Sequence, residues 1–383
     1  MKSSCLLLLA FTACGFAQTL QPTAVPNPST PGSIQPNWAV AADGSILFSW
    51  VEPVKEGIYN LRYAVRKGGT WSEARTIAAN RPFWRHPAEI PELLALSDGT
   101  LLAHWVEKGK ESDAEYILVS SSRDGIKWSA PQMAHKDRSP EQHGLASIVA
   151  SGPSEASILW LQALKGDDGP VSLMRTIVGA DGKEIKEEEL DADVCECCPT
   201  SVVKTAKGLL VAYRGHNKQN IRDIFVRRYE NGKWTTSKNV NADKWEIDAC
   251  PVNAASAAAK DNRVAISWYT EADDKPRVQL VFSSDGGVTF TKPTAISTTD
   301  TLGYASTVLN NDGGATVSWI EEGEKNSRVM ARSVSPAGVA GPPLTVAEGG
   351  RQSLGYPRLV HAGNETWIAW GDAKAGIKTA QLK

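Results

Sequence analysis

The chain has 383 residues, of which 41 are Lys or Arg and 43 are Asp or Glu, so its formal net charge is -2. Basic and acidic residues are interspersed, which leaves no basic stripe for a phosphate backbone and excludes nucleic acid as a partner. Gly and Pro are spread evenly along the chain, which predicts one repetitive domain over residues 18–383 rather than two unlike globular domains.

The first seventeen residues are typical of a secretory signal peptide. Lys2 precedes an apolar run at 6–11, and small residues lead to Ala17. We therefore expect export to the periplasm or the extracellular space, with Gln18 as the first mature residue. Residues 11–14 approximate a lipobox, so a lipid anchor at Cys14 is an alternative. The apolar run is too short to span a bilayer, and no later segment is long and apolar enough to do so.

An internal repeat dominates the remaining sequence. Seven segments each combine a small polar turn with an apolar strand that ends in an aromatic residue, namely Trp50, Trp105, Trp160, Tyr213, Trp268, Trp319 and Trp370. The steps between these aromatic residues are 55, 55, 53, 55, 51 and 51 residues. Each unit contains four strand-like runs, so the sequence predicts an all-β, seven-bladed β-propeller of four-stranded blades.

The seventh unit ends after its third strand, at 376–382. Residues 19–26 precede the first unit and have the pattern of the fourth strands elsewhere. We expect this N-terminal strand to pair with the last blade and close the ring, which removes two exposed sheet edges. Truncation of either terminus should therefore be severe.

Two turns between third and fourth strands, at 122–128 and 284–290, carry a Ser/Asp-Gly-aromatic motif. These turns resemble the Asp-boxes, or BNR repeats, of sialidase-like propellers. Their Asp and Ser side chains are expected to bond turn amides, so the motif has a structural role.

Nearly the whole mature chain also resembles bacterial sequences commonly labelled exo-α-sialidase, in which a Cys-x-Cys-Cys run and a later Cys-Pro-Val-Asn accompany the Asp-boxes. The matching runs begin at Cys195 and Cys250. This resemblance implies glycan binding or glycosidase-like activity, with Arg214, Arg277 and Arg358 as possible carboxylate clamps and Tyr356 in a segment similar to the nucleophile segment. The chain departs from true sialidases at Glu89, which stands where their first clamping arginine is expected. True sialidases have six blades, which is the alternative architecture.

In a propeller, the innermost strands begin at one face of the axial channel, which we call the mouth. The loops between second and third strands lie on the same face. Reactive side chains at these positions predict a site at the mouth that binds a glycan or a small molecule. The candidate catalytic residues are Glu89, Glu141, Arg214, Asp223 and Tyr356, and the candidate binding residues are Trp38, His86, His143, Arg222, Trp245 and Arg358. Trp84 is also expected near the mouth.

The four cysteines of the mature chain allow two interpretations. Disulfides are the preferred one for an exported protein, with Cys250 joined to Cys197 or Cys198. The other is a copper or zinc site formed by Cys195, Cys197, Cys198, Cys250 and His143.

Three hypotheses follow from these features. The first is a carbohydrate-directed protein, either a glycan binder or a glycosidase-like enzyme. The second is a periplasmic metal or redox protein built on the cysteines and histidines. The third is a scaffold for protein partners, which predicts an exposed apolar patch on the flat propeller face.

Overall fold

The structure, a computed structural model, describes residues 19–111, 114–163 and 169–383. The predicted signal peptide and the lipid-anchor residue Cys14 lie outside these ranges. The described residues form thirty strands in seven antiparallel sheets, with one 3-10 turn at Ala272–Asp274 and one short helix, α1 (Arg351–Leu354). The seven-bladed, all-β prediction is therefore confirmed, and the six-bladed alternative is wrong.

The strands follow the chain blade by blade. One strand precedes blade one, β1 (Pro22–Val25). Blade one contains β2 (Ile34–Val40), β3 (Ile46–Lys55), β4 (Ile58–Lys67), β5 (Thr70–Trp71) and β6 (Arg75–Arg81). Blade two contains β7 (Glu92–Ala95), β8 (Leu101–Lys108), β9 (Glu115–Ser122) and β10 (Gln132–Met133). Blade three contains β11 (His143–Gly152), β12 (Glu155–Ala163), β13 (Val171–Gly179) and β14 (Glu184–Asp191).

The second half of the ring continues the same order. Blade four contains β15 (Ser201–Thr205), β16 (Gly208–Arg214), β17 (Ile224–Glu230), β18 (Lys233–Trp234) and β19 (Lys238–Asn239). Blade five contains β20 (Ser256–Lys260), β21 (Arg263–Thr270), β22 (Arg277–Ser283) and β23 (Thr294–Ala295). Blade six contains β24 (Thr301–Leu309), β25 (Ala315–Glu321), β26 (Ser327–Val334) and β27 (Leu344–Gly349). Blade seven contains β28 (Arg358–Ala362), β29 (Glu365–Asp372) and β30 (Gly376–Leu382).

The ring closes as the sequence predicts. Strand β1 pairs antiparallel with β30, from Pro22 opposite Leu382 to Val25 opposite Thr379. Gln21 and Lys383 extend the ladder by exchanging two backbone hydrogen bonds of 2.7 and 2.9 Å. Leu20, next to this strand, is buried against the apolar residues of blades six and seven. The first described residues and the last residues of the chain are thus held in one sheet.

The core is divided into layers between neighbouring blades. The aromatic residues that end the second strands are all buried, and Trp50, Trp105, Trp160 and Trp319 have no exposed surface. One apolar cluster joins blades one and two, another joins blades two and three, and others join the later pairs. Each four-stranded sheet therefore buries both faces, which explains why the repeat needs a large aromatic residue at a fixed position.

The two turns that resemble Asp-boxes form the backbone hydrogen bonds expected of them. Asp124 Oδ1 accepts hydrogen bonds from the backbone amides of Ile126 and Lys127, both at 2.8 Å. Asp285 Oδ1 accepts from Val288 and Thr289 in the same way, both at 2.9 Å. Both turns follow third strands, at the end of the blade opposite the mouth. No helix among the described residues is long and apolar enough to cross a membrane.

Candidate functional site

A groove lined by both polar and apolar residues opens at the mouth between blades two, three and four. Its volume is about 850 Å³, whereas the channel through the ring axis holds about 230 Å³. Trp84, His86, Glu115, Glu141, Cys197 and Arg222 are among the residues that line it, and we call it the mouth groove. The starts of inner strands and the loops between second and third strands supply these residues, as the sequence predicts for a mouth site.

The carboxylates of the mouth groove outnumber its arginines. Glu115, Glu141, Asp193 and Glu196 line the groove, and Arg222 is the one arginine among the described lining residues. Arg222 Nη1 donates to Glu196 Oε2 over 2.7 Å, so this positive charge is already paired. The groove is therefore unfavourable for an anionic ligand.

One aromatic side chain gives the groove an apolar wall. Trp84 is half-buried, and its ring lies 6.4 Å from that of His86 at an interplanar angle of 9°. The Lys108 ammonium lies 4.1 Å from the centre of the Trp84 ring. Burial lowers the pKa of His86, which keeps this imidazole neutral at neutral pH. Because the Lys108 ammonium covers part of the Trp84 ring, the remaining surface of the Trp84–His86 pair is what the groove offers to the apolar face of a sugar ring.

Glu89 lies beneath the mouth groove rather than in it. Its side chain is buried and accepts a hydrogen bond from the backbone amide of Leu145. An ideal Cβ on Gly144 would lie 2.7 Å from Glu89 Oε2 and 3.4 Å from Glu115 Oε2, so both carboxylates flank this glycine. Burial, with the nearby charge of Glu115 adding to it, raises the pKa of Glu89 to about 8. Glu89 therefore carries a proton at neutral pH.

Two other predicted site residues form hydrogen bonds to the backbone. Arg214 donates to the carbonyl groups of Arg222, Asn253 and Tyr269. Asp223 accepts from the backbone amides of Lys244 and Trp245, both at 3.1 Å. The structure thus places Arg214 and Asp223 as supports of loops, because their polar atoms point at main-chain groups.

The hydroxyl of Tyr356 is likewise occupied, since it donates to the Val252 carbonyl, and its ring packs 4.3 Å from that of Tyr304. Burial raises its pKa well above the usual range, which is opposite to what an activated phenol nucleophile needs. The segment that resembles a nucleophile segment therefore serves packing in this chain.

The three arginines suggested as a carboxylate clamp do not converge. Arg277 donates to the Ala272 and Lys275 carbonyls in a loop of blade five. Arg358 lines the axial channel, where Nε donates to Asn37 Oδ1 over 3.1 Å and Nη2 lies 3.5 Å from Glu92 Oε1. With Arg214 held by carbonyl groups, no clamp forms from these three residues.

Two predicted sugar platforms are instead packing residues. Trp38 lies 4.4 Å from Phe48, between ring centres, and its Nε1 donates to the Arg358 carbonyl. Trp245 is 4% exposed and packs edge-on against Tyr269. Strand β2 is irregular between Ile34 and Asn37, and the Trp38 ring packs among Phe48, Trp71 and Trp367. Of the three tryptophans expected near the mouth, Trp84 alone lines the groove.

His143 is also displaced from the site that the sequence suggested. It is fully buried and stacks on His135 at 4.2 Å between ring centres. Its Nδ1 lies 2.9 Å from the carbonyl oxygens of both Glu115 and Glu141. His143 thus supports the backbone behind two groove carboxylates, and it belongs to neither group of metal-ligand type among the described residues.

The four described cysteines are free thiols, so the structure does not contain the expected disulfide between Cys250 and Cys197 or Cys198. Two groups of ligand type share Cys197. One is Cys195, Cys197 and Cys198, and the other is Glu196, Cys197 and Cys250, with ligand atoms within 4.8 Å of one another in each. The copper or zinc site stays a prediction, and His143 lies in neither of these groups.

Sequence reasoning missed Glu115, Asp193 and Gln142 as groove residues. Glu115 begins β9, directly after a loop between second and third strands, so the rule that located the mouth also applies to it. Asp193 Oδ1 lies 2.7 Å from His216 Nδ1, and Asp193 stands two residues before Cys195. Both residues are adjacent in sequence to segments predicted to lie at the mouth, and this adjacency could have identified them.

The large exposed apolar side chains are scattered. Val40 and Val54 are in blade one, Ile126 in blade two, Ile185 in blade three and Val339 in blade six. This distribution among the described residues gives no support to the apolar docking patch that a protein scaffold would need.

Solved structures share this fold at low sequence identity. A Hadza microbial sialidase, Hz136, is similar with a TM-score of 0.54 and 15% identity, over 85% of this chain and 73% of that one. The α-L-arabinofuranosidase arb93a from Fusarium graminearum, in complex with an iminosugar inhibitor, has a TM-score of 0.51 and 12% identity, over 96% and 98% of the two chains. A protein of unknown function from Dyadobacter fermentans has a TM-score of 0.51 and 15% identity, over 95% and 99%.

At these identities the similarity shows the fold alone, a β-propeller. No protein-family model and no curated protein matches the sequence.

Proposed function

We propose that this protein is directed to glycans and that the mouth groove binds a neutral oligosaccharide. The observation that carries the proposal is the groove itself, an open cavity of about 850 Å³ in which carboxylates stand beside apolar residues that include the half-buried Trp84. Stacking on an aromatic ring and hydrogen bonds to carboxylates are the two contacts by which proteins hold uncharged sugars. The sialidase and the arabinofuranosidase that share the fold are both carbohydrate-directed, which supports the same ligand class here.

The charges of the groove favour a neutral sugar over a sialic acid. Four carboxylates line it, and Arg222 is paired with Glu196. Arg214 and Arg358 are held by groups of the protein itself. A sialoside would bring a further carboxylate into a negative groove without a converging arginine clamp to receive it.

Binding to a panel of immobilised glycans tests the proposal, followed by calorimetry with any oligosaccharide that binds. The panel contains arabinan, galactan and xylan fragments beside sialylated glycans. We expect neutral fragments to bind and Trp84→Ala to weaken binding about fivefold, since stacking contributes roughly 1 kcal/mol. Trp128→Ala is the matched control, because Trp128 is also half-buried but lies in the Asp-box turn at the opposite end of blade two.

Two results contradict the proposal. One is the absence of binding to every neutral glycan, and the other is neutral-glycan binding that Trp84→Ala leaves unchanged. Preference for sialosides would contradict the charge argument and point back to the site of true sialidases.

Glycoside cleavage is a second candidate, favoured by the presence of Glu115 and Glu141 in one groove. A pair of carboxylates is the usual acid and base of such reactions. If the bound oligosaccharide is cleaved, release of reducing ends should be lost in Glu115→Gln and in Glu141→Gln while the oligosaccharide still binds. Cleavage that both variants retain would exclude these residues from the reaction.

A further inference from the structure

Three thiols form a compact triangle at the edge of the mouth groove. Cys195 and Cys198 are buried, with 1% of each side chain exposed, and Cys197 is half-buried. The Sγ–Sγ distances are 3.5 Å between Cys195 and Cys198, 3.8 Å between Cys195 and Cys197, and 3.9 Å between Cys197 and Cys198. A disulfide joins sulfurs at about 2.05 Å, so no pair of this triangle is bonded.

The size of the triangle matches a metal ion. A point equidistant from the three sulfurs lies about 2.2 Å from each, which is the circumradius of a triangle with these sides. Metal–thiolate bonds are close to this length, about 2.3 Å for zinc. An ion at the centre would therefore reach all three sulfurs with little movement of the chain.

The backbone around the triangle is fixed by the fold. The Cys195 amide donates to the Arg214 carbonyl over 3.0 Å, and Val194 forms a bridge with Gly215. The Thr200 amide donates to the Leu145 carbonyl of blade three over 3.0 Å. The cysteine run is thus anchored on both sides, which makes the three sulfurs a preformed set of ligands.

Two arginines offset the charge that three thiolates would bring. Arg222 Nη1 lies 3.2 Å from Cys195 Sγ. Arg214 is buried, donates to backbone carbonyls, and forms no ion pair with a described carboxylate. A monovalent ion with three thiolates carries a net charge of -2, which Arg214 and the Arg222 guanidinium, shared with Glu196, offset in part.

The number and type of ligand atoms favour one kind of ion over others. No fourth sulfur or imidazole of the described residues joins the triangle, because Cys250 groups with Cys197 and Glu196 and His143 lies in the core of blade three. Structural zinc sites are four-coordinate, whereas soft thiolate ligands also select copper(I). We propose that Cys195, Cys197 and Cys198 bind one copper(I) ion in three-coordinate sulfur geometry. This site is independent of glycan binding at the same groove.

The test uses the full chain, reduced and handled without oxygen. Copper(I) is titrated against a chromophoric copper(I) chelator, and the loaded protein is studied by X-ray absorption at the copper edge. We expect one copper(I) per chain with three sulfur neighbours at about 2.3 Å. Cys195→Ser and Cys198→Ser should each weaken binding more than about 100-fold, because each removes a direct ligand.

Cys250→Ser is the matched control, since Cys250 is exposed and lies outside the triangle. It should bind copper(I) as the wild type does, and far-ultraviolet circular dichroism of every variant checks the fold. Failure of the wild type to bind one equivalent overturns the proposal, as does unchanged binding by Cys195→Ser and Cys198→Ser. Displacement of copper(I) by an equal amount of zinc, or a disulfide within the triangle in protein isolated without reductant, also overturns it.

Discussion

Glu89 and Leu145 join blades two and three through one buried hydrogen bond, in which the Leu145 amide donates to Glu89 Oε2. Leu145 has a φ of 53°, and the preceding Gly144 leaves room for the carboxylate beside its backbone. Any side chain at position 144 would push Glu89 or Glu115 aside. The contact thus depends on a glycine, a left-handed backbone residue and a carboxyl group that burial keeps protonated.

This contact predicts a pH-dependent stability. The unfolded chain releases the Glu89 proton near pH 4.3, whereas the folded chain holds it to about pH 8. Between these values the folded state binds more protons, so the free energy of unfolding falls as the pH rises, by up to about 1.4 kcal/mol per unit from this group. Glu89→Gln should remove that component, because the amide oxygen still accepts from Leu145 and does not titrate.

Urea denaturation of wild type and Glu89→Gln across this pH range measures the difference. The exposed Glu155→Gln serves as the control and should follow the wild type. Parallel pH profiles for wild type and Glu89→Gln would show that Glu89 does not hold its proton in the folded chain.

Arg214 predicts a loss of stability rather than a loss of ligand binding. Its guanidinium group donates to three backbone carbonyls in blades four and five, a geometry that an ammonium group cannot reproduce. Arg214→Lys should lower the free energy of unfolding by about 3 kcal/mol, because buried acceptors lose their donors. Thermal and urea unfolding measure the change, and Arg277→Lys, in a loop of blade five, should cost less than about 1 kcal/mol. An Arg214→Lys variant of unchanged stability with weakened ligand binding would instead restore Arg214 to the site.

The repeat made the blades predictable. It did not predict which way the side chains point at the start of each inner strand. Period and aromatic spacing identify a second strand because a buried aromatic residue is required there by packing. Three inner strands contain register shifts near their start, between Ile34 and Asn37 in β2, between Gly144 and Ser147 in β11, and between Gly303 and Ser306 in β24. One extra residue turns the side chains that follow it to the other face, so sequence position alone misplaced Trp38.

For the cysteines, the sequence located the residues but did not determine which of them lie together. Their spacing allowed both a disulfide and a metal, because sequence carries no sulfur–sulfur distance. The fold decides which sulfurs meet: the loop before β15 brings Cys195, Cys197 and Cys198 together, while Cys250 arrives from the next blade beside Cys197 and Glu196.

Closure of the ring predicts that Leu20 matters although it lies outside every blade repeat. It is 6% exposed and packs on residues of blades six and seven, next to the strand pair β1–β30. Leu20→Ala should cost about 2–5 kcal/mol, as do other buried leucine truncations. Val54→Ala, at a position 47% exposed, is the control and should change stability by less than about 0.5 kcal/mol. Chemical denaturation measures the free energy of unfolding of both variants. A Leu20→Ala variant as stable as the control would show that Leu20 does not stabilise the closure of the ring.

The Asp-box turn of blade five predicts a stability effect without an effect at the mouth. Asp285 Oδ1 accepts from two backbone amides and Oδ2 accepts from the Thr289 hydroxyl over 2.6 Å. These hydrogen bonds favour the ionised form and hold the pKa of Asp285 below its usual range despite the opposing effect of burial. The stabilisation from Asp285 is thus present above the unfolded pKa near 4 and is lost as the pH falls below it.

Asp285→Ala should lower the free energy of unfolding by about 1–2 kcal/mol at neutral pH, and Asp285→Asn should lower it less, since an amide oxygen still accepts. Melting curves at neutral pH and glycan binding are measured together. Because the turn lies at the end of the blade opposite the mouth, weakened glycan binding in a folded Asp285→Ala variant would contradict the assignment of the site to the mouth groove.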